Sequence, residues 1–529
     1  MENFNVIQCF VLIFFTFIAN STLLFGATSH VDSWIVIRWL SDKNYIEMKS
    51  FYNKVGIPQF YFVFKWLWRL SNNNLLLTGR ILFIIKALHV VLIYQILLTE
   101  INYHNTLAFL ISLFLTVYTG NTFINDFVVG VQYSLSWTFY LLGIFLILKS
   151  EIFSGSAQYT LIILGFLIVI YSFGMKSLLF VNLFLASGLV ASDFVVVNDN
   201  SNLDLVVKIC LLLLTFIYWI CVEFLWPRSG AYKDYNKFLL PTSFHKIIKK
   251  LFIGTARSLI EPNINALKNL NSPIFGLILV LFWLISNNSF RIMYESQSNF
   301  EINGRGLILL SLLLASIMIF PYALVNQDFD SQGYLTKNFV MLDLAFSFFV
   351  VGIIETFLFG NSKIYIYILA FTTLLYSKLK EDYILMLQYA KQIALQQALS
   401  KLNKEHDIYF RVFDNTDIKQ KGLKNILYPM TLFYMSNQSK SEKVIFGEDY
   451  TYRDGPVLNL KQIQENYLRQ PVPFSKKRYN PKGYFEINII NGVLSTQNVV
   501  KFYFQQFCKN PIAYTPVVHL FEVKVHKSK

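Results

Sequence analysis

The chain has 529 residues, 54% hydrophobic and 15% charged, with a formal net charge of +14. A soluble domain carries about 25% charged residues, so this composition excludes an ordinary soluble enzyme and indicates a membrane protein. The four cysteines, at positions 9, 210, 221 and 508, make no CxxC spacing, which argues against a disulfide framework and a thiolate metal site.

The chain turns apolar almost at once. "MENFNVIQCFVLIFFTFIAN" has neither a basic n-region nor an Arg-rich amphipathic presequence. Phe (51) and Tyr (31) are abundant beside Ile, Asn and Lys, the usage of an AT-rich genome. Together these features lead to the expectation of an organelle-encoded membrane protein. A span needs about 20 mainly apolar residues. Windows of that kind fall near 4–26, 76–99, 106–124, 130–149, 157–176, 177–196, 203–226, 273–289, 305–326, 339–360 and 363–379.

Between the first two windows, "FYNKVGIPQFYFVFKWLWRL" mixes aromatics with Lys54, Lys65 and Arg69, as suits a membrane interface. The segment 241–262 has helical apolar spacing but carries His245, Lys246, Lys249, Lys250 and Arg257, and reads as an amphipathic surface helix. After residue 380 the pattern changes to a long polar helix that extends the last span. Short alternating runs come next, "GYFEINII", "VVKFYFQQF" and "TPVVHLFEVKV", which read as strands. From 380 onward there are 22 Lys+Arg against 13 Asp+Glu, so most of the positive charge sits in this tail. By the positive-inside tendency it faces the matrix or cytoplasm. The expected fold is an all-α polytopic membrane protein of about 10–11 transmembrane helices over 1–380. A basic, solvent-exposed α+β extension then covers 381–529.

Ionisable groups at membrane depth are costly and mark candidate sites. Lys86 and His89 lie in the second window, three apart and on one helix face, with Arg80 and Gln95 in the same window. They read either as part of a proton-conducting line or as groups bonded to neighbouring helices. Asp126, Lys149, Lys176, Lys208 and Glu223 fall near span ends, where snorkelling accounts for them. Asp343 and Glu355 lie deeper. Twelve residues apart, they are offset by about 120° around a helix and make no pair with each other. His89 is the one histidine well placed inside a window, so haem-bearing and copper–haem cores find too few ligands. No Gly-rich phosphate loop comes after a strand, which argues against an ATP-driven pump. The chain is expected to carry no cofactor and no metal.

The stretch "VQYSLSWTFYLLGIF" (131–145) places Ser136, Tyr140 and Leu142 at a particular spacing, and "GSAQYTLIILG" lies about twenty residues later. "CVEFLWPRSGAY" then brings Phe224, Trp226 and Tyr232, and "FLLPTSFHKIIKK" brings Lys246. In this order the motifs resemble the antiporter-like membrane-arm subunits of respiratory complex I, NADH dehydrogenase subunit 2 above all. That family reads Glu-x-x-Ser-Leu-x-x-Tyr-x-Leu, then a Lys-Tyr span, a Phe-His-x-Trp-x-Pro-Asp-x-Tyr segment and a Lys in a broken helix. The resemblance covers about 125–260, near a quarter of the chain. The family's Glu falls on Tyr133, beside Gln132, and its first Lys on Gln158. Its next Lys falls around Ile217, leaving Lys208 and Glu223 at the wrong places.

The resemblance implies an antiporter-like bundle in the mitochondrial inner membrane, within a complex that passes electrons from NADH to ubiquinone and pumps protons. It implies Lys246 as the chief proton carrier, with Tyr133 and Gln158 as degenerate positions. Since Gln, Tyr and Ile do not titrate near neutral pH, the polar face of 131–145 is expected to pack helices or hydrate a cavity. The expected partners are the other subunits of such a complex and lipids, and not nucleic acid. Alternatives remain in other mitochondrially encoded subunits, in a self-contained transporter and in a cofactor-free accessory or assembly subunit. An ATP synthase subunit a would rely on Arg80; a third subunit of cytochrome oxidase would need no cofactor.

Overall fold

The computed structural model describes residues 6–25, 32–99, 104–120, 125–195, 202–228, 244–268, 303–325, 339–358 and 363–400. It also describes the strand segments 408–414, 443–445, 458–459, 484–492 and 520–528, and the single residues 276, 498 and 501. Helix α1 (Val6–Ala19) passes through Asn20, whose side-chain amide donates to the Thr16 carbonyl, into a 3₁₀ turn at Ser21–Phe25. Three short helices come next: α2 (Asp32–Ser41), α3 (Tyr45–Val55) and α4 (Gln59–Leu70). Asn44 caps the start of α3, and Gly56 closes it in the left-handed conformation at φ +77°. That geometry sends Ile57 N back to Tyr52 O and turns the chain sharply into α4.

The apolar helices continue with α5 (Leu75–Thr99), α6 (Asn105–Thr116), α7 (Phe127–Ile152), α8 (Ser156–Ser172), α9 (Ser177–Val195) and α10 (Asn202–Leu225). Then come α11 (Phe244–Leu259), α12 (Glu261–Leu267), α13 (Gly304–Leu324), α14 (Asp343–Phe357) and α15 (Lys363–Ser400). Among the described residues five helices are long and apolar enough to cross a membrane: α5, α7, Leu203–Leu225 of α10, α13, and Phe339–Phe357, which adds a 3₁₀ turn before α14. The described residues are thus predominantly helical and compatible with a helical membrane protein. Three further apolar helices, α1, α6 and α8, are shorter within the described residues than that length requires, and the apolar stretch of α9 runs over Ser177–Ala191 alone. At 12 residues α6 rises about 18 Å, well short of a hydrocarbon core of about 30 Å, so the window at 106–124 yields a shorter helix than expected. The window at 273–289 lies outside the described residues except for Gly276.

Two pairs of glycines set how closely these helices approach. Gly143 of α7 meets Gly165 of α8: a Cβ added to Gly143 would lie 2.8 Å from the Gly165 carbonyl oxygen and 2.7 Å from Val169 Cγ2. Gly304 and Gly352 repeat the arrangement between α13 and α14. Small residues that let two backbones touch are the usual means of association where lipid supplies no hydrophobic drive.

The larger apolar core is built chiefly from α1, α5–α9 and α13–α15; a smaller one gathers α2, α3 and α4 against the first halves of α5 and α7. Burial separates centre from periphery. In the most apolar stretch of Phe339–Phe357, 78% of positions are buried, against 22% for Leu203–Leu225.

Beyond α15 five strands form a sheet in the order β3-β2-β1-β4-β5: β1 (Ile408–Asp414), β2 (Lys443–Ile445), β3 (Leu458–Asn459), β4 (Tyr484–Asn491) and β5 (Phe521–Ser528). β1 runs parallel to β2 and β4, while β3 and β5 pair antiparallel at the two edges. Of "GYFEINII" Tyr484–Ile490 is strand, and of "TPVVHLFEVKV" Phe521–Val525 is strand, while Gly483 and 515–519 lie outside the described residues. In "VVKFYFQQF" the described residue, Lys501, is helical instead.

Candidate functional site

Lys86 and His89 share one face of α5 because they are three residues apart. Both are buried, at 3% and 1% exposure. Across from them stands Asp343, the first residue of α14 and fully buried. Its Oδ2 lies 3.1 Å from Lys86 Nζ and 3.1 Å from His89 Nε2, and its Oδ1 accepts from Leu344 N at 3.0 Å. A carboxylate in the first turn of a helix is stabilised by the partial positive charge of the free amides there. Lys86 neutralises it, so the buried pair carries no net charge when His89 is neutral.

A third helix adds charge nearby. Lys378 of α15 is buried and donates to Asp382 Oδ1 at 3.1 Å. Asp382 accepts from Thr22 in the turn after α1, at 3.4 Å, and Thr22 accepts from Asn125 at 2.8 Å. α15 thus carries a buried lysine–aspartate pair of its own, beside the Lys86–Asp343 region of α5 and α14.

The polar face of α7 closes this region on the His89 side. The helix starts at Asp126, whose carboxylate accepts from Val128 N and Val129 N at 3.1 Å each and from the Ser33 hydroxyl at 2.7 Å. Gly130–Ser134 is a π-helical turn, with Leu135 N donating to Gly130 O. One extra residue in a turn rotates the rest of the helix about its axis, and such turns concentrate at functional sites. Thr138, one turn on, lies with Oγ1 2.8 Å from the Ser134 carbonyl and 3.4 Å from His89 Nδ1, while Trp137 tilts against the imidazole ring.

A hydroxyl has one proton to give. If Thr138 gives it to Ser134 O, His89 Nδ1 must carry a hydrogen and donate to Thr138; Nε2 donates to the carboxylate, and the ring is an imidazolium. If Thr138 turns its proton to Nδ1, the ring is neutral. The same heavy-atom positions thus accommodate a charged or a neutral ring, according to which way the hydroxyl points. This is the arrangement a relay needs: a titratable ring held between a carboxylate and an adaptable hydroxyl.

A second ionic group lies at the far end of α14. Glu355 accepts from Lys363 Nζ at 2.5 Å and from the Tyr367 hydroxyl at 2.7 Å, both on α15. Twelve helical residues separate it from Asp343, about 18 Å along the axis. The structure agrees that Asp343 and Glu355 do not pair with each other, and gives each a partner on another helix.

Of the residues singled out in the sequence, Lys86, His89 and Asp343 enter the buried cluster and the others do not. Lys246 stands exposed on the first turn of α11, an uninterrupted helix whose buried positions are Ile247, Gly254, Ser258 and Leu259. Lys208 pairs with Asp204 at 2.5 Å one turn away on α10. Glu223 is exposed and faces Lys176 at 3.7 Å. Tyr133 packs half-buried on the large core, and Gln132, at 3.5 Å from the Tyr52 hydroxyl, joins α7 to α3. Gln158 lies half-buried in the first turn of α8. What the sequence does not reveal is that Asp343, 257 positions away, is the partner of Lys86. Among the described residues no group of three or more His, Cys, Asp or Glu is placed to hold a metal. Comparison of the chain with protein-family models, with curated proteins and with solved structures finds no match.

Proposed function

We propose that this protein is a membrane-arm subunit of a respiratory NADH:ubiquinone oxidoreductase in the mitochondrial inner membrane, taking part in proton translocation. The observation that carries the reading is the buried Lys86–His89–Asp343 cluster between two membrane-crossing helices. Charge at that depth is expensive and is kept where it conducts or switches. The motif order through Ser136, Tyr140, Trp226 and Lys246 supports the choice of complex. In this reading the relay of this chain has moved from the family's positions, now Tyr133, Gln158 and Ile217, to α5 and α14. The subunit transfers no electrons itself. In this reading the chain beyond α15 binds neighbouring subunits; α15 itself is buried at Asp382 and over Leu385–Lys391, so a solvent-exposed extension does not begin at 381.

A second reading is an accessory subunit with no proton path. It is favoured by the absence of a charged side chain at those same three positions, and by the complete pairing of Asp343, which is what a structural ion pair also requires.

One experiment separates these readings. Membranes are extracted gently, complexes are resolved on a native gel, and each band is searched for this chain by mass spectrometry. Co-migration with NADH dehydrogenase activity supports the choice of complex; co-migration with another respiratory complex, or migration alone, overturns it. In whichever assembly holds the chain, Asp343→Asn that abolishes proton translocation with assembly intact supports the relay. Unchanged translocation leaves the accessory reading.

A further inference from the structure

Ile247, Leu251, Gly254 and Ser258, spaced three and four residues apart, form the line that fastens helix α11 to the bundle. The helix packs there against α13 and α14, and the Tyr118 hydroxyl donates to the Ser258 carbonyl at 3.4 Å. Beside this line, on one flank, run Phe244, Ile248 and Phe252. They are four residues apart and 64%, 50% and 77% exposed. His245 and Lys249 come one residue later in the chain, so they lie 100° further round the axis. Lys246 and Lys250 lie a further 100° round, which completes the circuit back to the fastening line. His245, Lys246 and Lys249 are all exposed. No acidic residue occurs between 244 and 260.

The helix therefore has a side for the bundle, a bare apolar side and a basic side. The bare side adjoins a membrane-crossing element: α13 is apolar enough to span, and its Leu309 and Leu313 are 68% and 58% exposed. The cations then fix the orientation. From His245 to Arg257 they extend over 12 residues. That is about 18 Å along the axis, more than half of a hydrocarbon core of about 30 Å. With the axis along the membrane normal, several of them would be drawn into hydrocarbon, which is costly. With the axis in the membrane plane, all of them keep to the water side.

We propose that α11 lies in the plane of the membrane surface and binds anionic phospholipid. Phe244, Ile248 and Phe252 enter the acyl boundary, His245 and Lys249 stand at the level of the phosphate-bearing headgroups, and Lys246 faces water. A protein partner could also cover an apolar line. Cations repeated along the edge of that line, with no acidic residue among them, instead match a leaflet whose negative charge is itself repeated along the surface. The inference rests on the membrane-crossing character of α13 and is independent of the choice of respiratory complex.

The test uses the full chain in the assembly that contains it, in nanodiscs of phosphatidylcholine alone or mixed with an equal part of phosphatidylglycerol. Nitroxide labels are placed at Ile248→Cys and, separately, at Lys246→Cys, with Cys210, Cys221 and Cys508 replaced by serine. Electron paramagnetic resonance reads the access of dissolved oxygen, which concentrates in lipid, and of a water-soluble nickel chelate. The label at 248 is expected to be open to oxygen and shielded from nickel, and the label at 246 the reverse. Equal nickel access at the two positions overturns the membrane contact. Shielding of 248 from both reagents would mean a protein partner and overturns it as well. Phosphatidylglycerol is expected to raise the ratio of shielded to unshielded label at 248, and Lys249→Gln to lower that ratio by about fivefold. No difference between the two lipid compositions, or no effect of Lys249→Gln, overturns the anionic headgroup. All three substituted positions are exposed, so folding is expected to be undisturbed, and gel migration of the assembly checks it.

Discussion

Lys86 Nζ and Asp343 Oδ2 meet at 3.1 Å across 257 positions of sequence, and both side chains are at most 4% exposed. Neither charge has bulk water to fall back on. Removing one of them leaves the other buried and uncompensated, which costs more than the intact pair contributes. Asp343→Asn is accordingly expected to destabilise the folded protein by about 3–5 kcal/mol. The double variant Lys86→Met with Asp343→Leu is expected to recover most of that loss, because an apolar pair of similar volume needs no compensation. Thermal unfolding of wild type, Lys86→Met, Asp343→Leu and the double variant in one detergent measures the coupling. A double variant as unstable as the sum of the singles would mean that the two groups do not act as a pair.

The Thr138 hydroxyl is the movable part of the cluster. Thr138→Val keeps the shape of the side chain but removes the oxygen that faces His89 Nδ1. A buried polar group left without its partner costs about 1–3 kcal/mol, and 1.4 kcal/mol is about a factor of ten in rate. If the cluster relays protons, Thr138→Val is expected to slow translocation by about tenfold or more. Thr138→Ser restores the oxygen and should restore the rate. The measurement is proton uptake into vesicles holding the native assembly, with assembly checked on the same gels. Equal rates in the Val and Ser variants would show that only packing is felt at this position.

The glycine crossings are an independent test of the helix arrangement. At Gly165 a Cβ would lie 2.6 Å from Ile147 Cγ1 and 2.8 Å from the Gly143 carbonyl oxygen, and the second of these is backbone. The side chain can turn away, but the carbonyl cannot move without moving α7. Gly165→Ala is expected to cost about 1–3 kcal/mol as an overpacking substitution. Gly188, with nothing within 4 Å of its Cβ position, is the matched control on α9. A Gly188→Ala variant should show no loss. Denaturant or thermal midpoints of the two variants, compared side by side, decide the matter.

How far the sequence reaches is clear at particular residues. The apolar window at 76–99 and the helix Leu75–Thr99 agree within a residue at the start, because a long uninterrupted apolar run has one low-energy answer in lipid. The shared face of Lys86 and His89 comes directly from a spacing of three, and it too was legible. Their partner was not, since nothing local links position 86 to position 343. The π-helical turn at Gly130–Ser134 was equally hidden. Its sequence, Gly-Val-Gln-Tyr-Ser, carries no signal that separates a π turn from an α turn, and it is the packing of α7 that selects one. Lys246 shows the opposite failure. The amphipathic spacing of 241–262 pointed to a surface helix, and the resemblance assigned the same lysine a proton-carrying role. The structure places it exposed on α11, as the spacing alone suggests.

Lys176 lies in the turn between α8 and α9, outside both helices, and titrates in an accessible range. Burial, and then the Arg228 charge, hold its folded pKa near 8, below the ordinary lysine value of 10.5. Between those two values the unfolded chain binds the proton that the folded chain has lost. Stability must therefore rise with pH across that window. The gain is complete above the unfolded value and is lost as pH falls through about 8, where the buried ammonium is charged in the folded state. Lys176→Met removes the titrating group and should flatten this part of the profile, leaving the variant more stable than wild type below the window relative to above it. Thermal midpoints collected in one buffer series across the window, in one detergent, measure the slope. A wild-type profile as flat as that of the variant would show that burial does not shift the Lys176 titration.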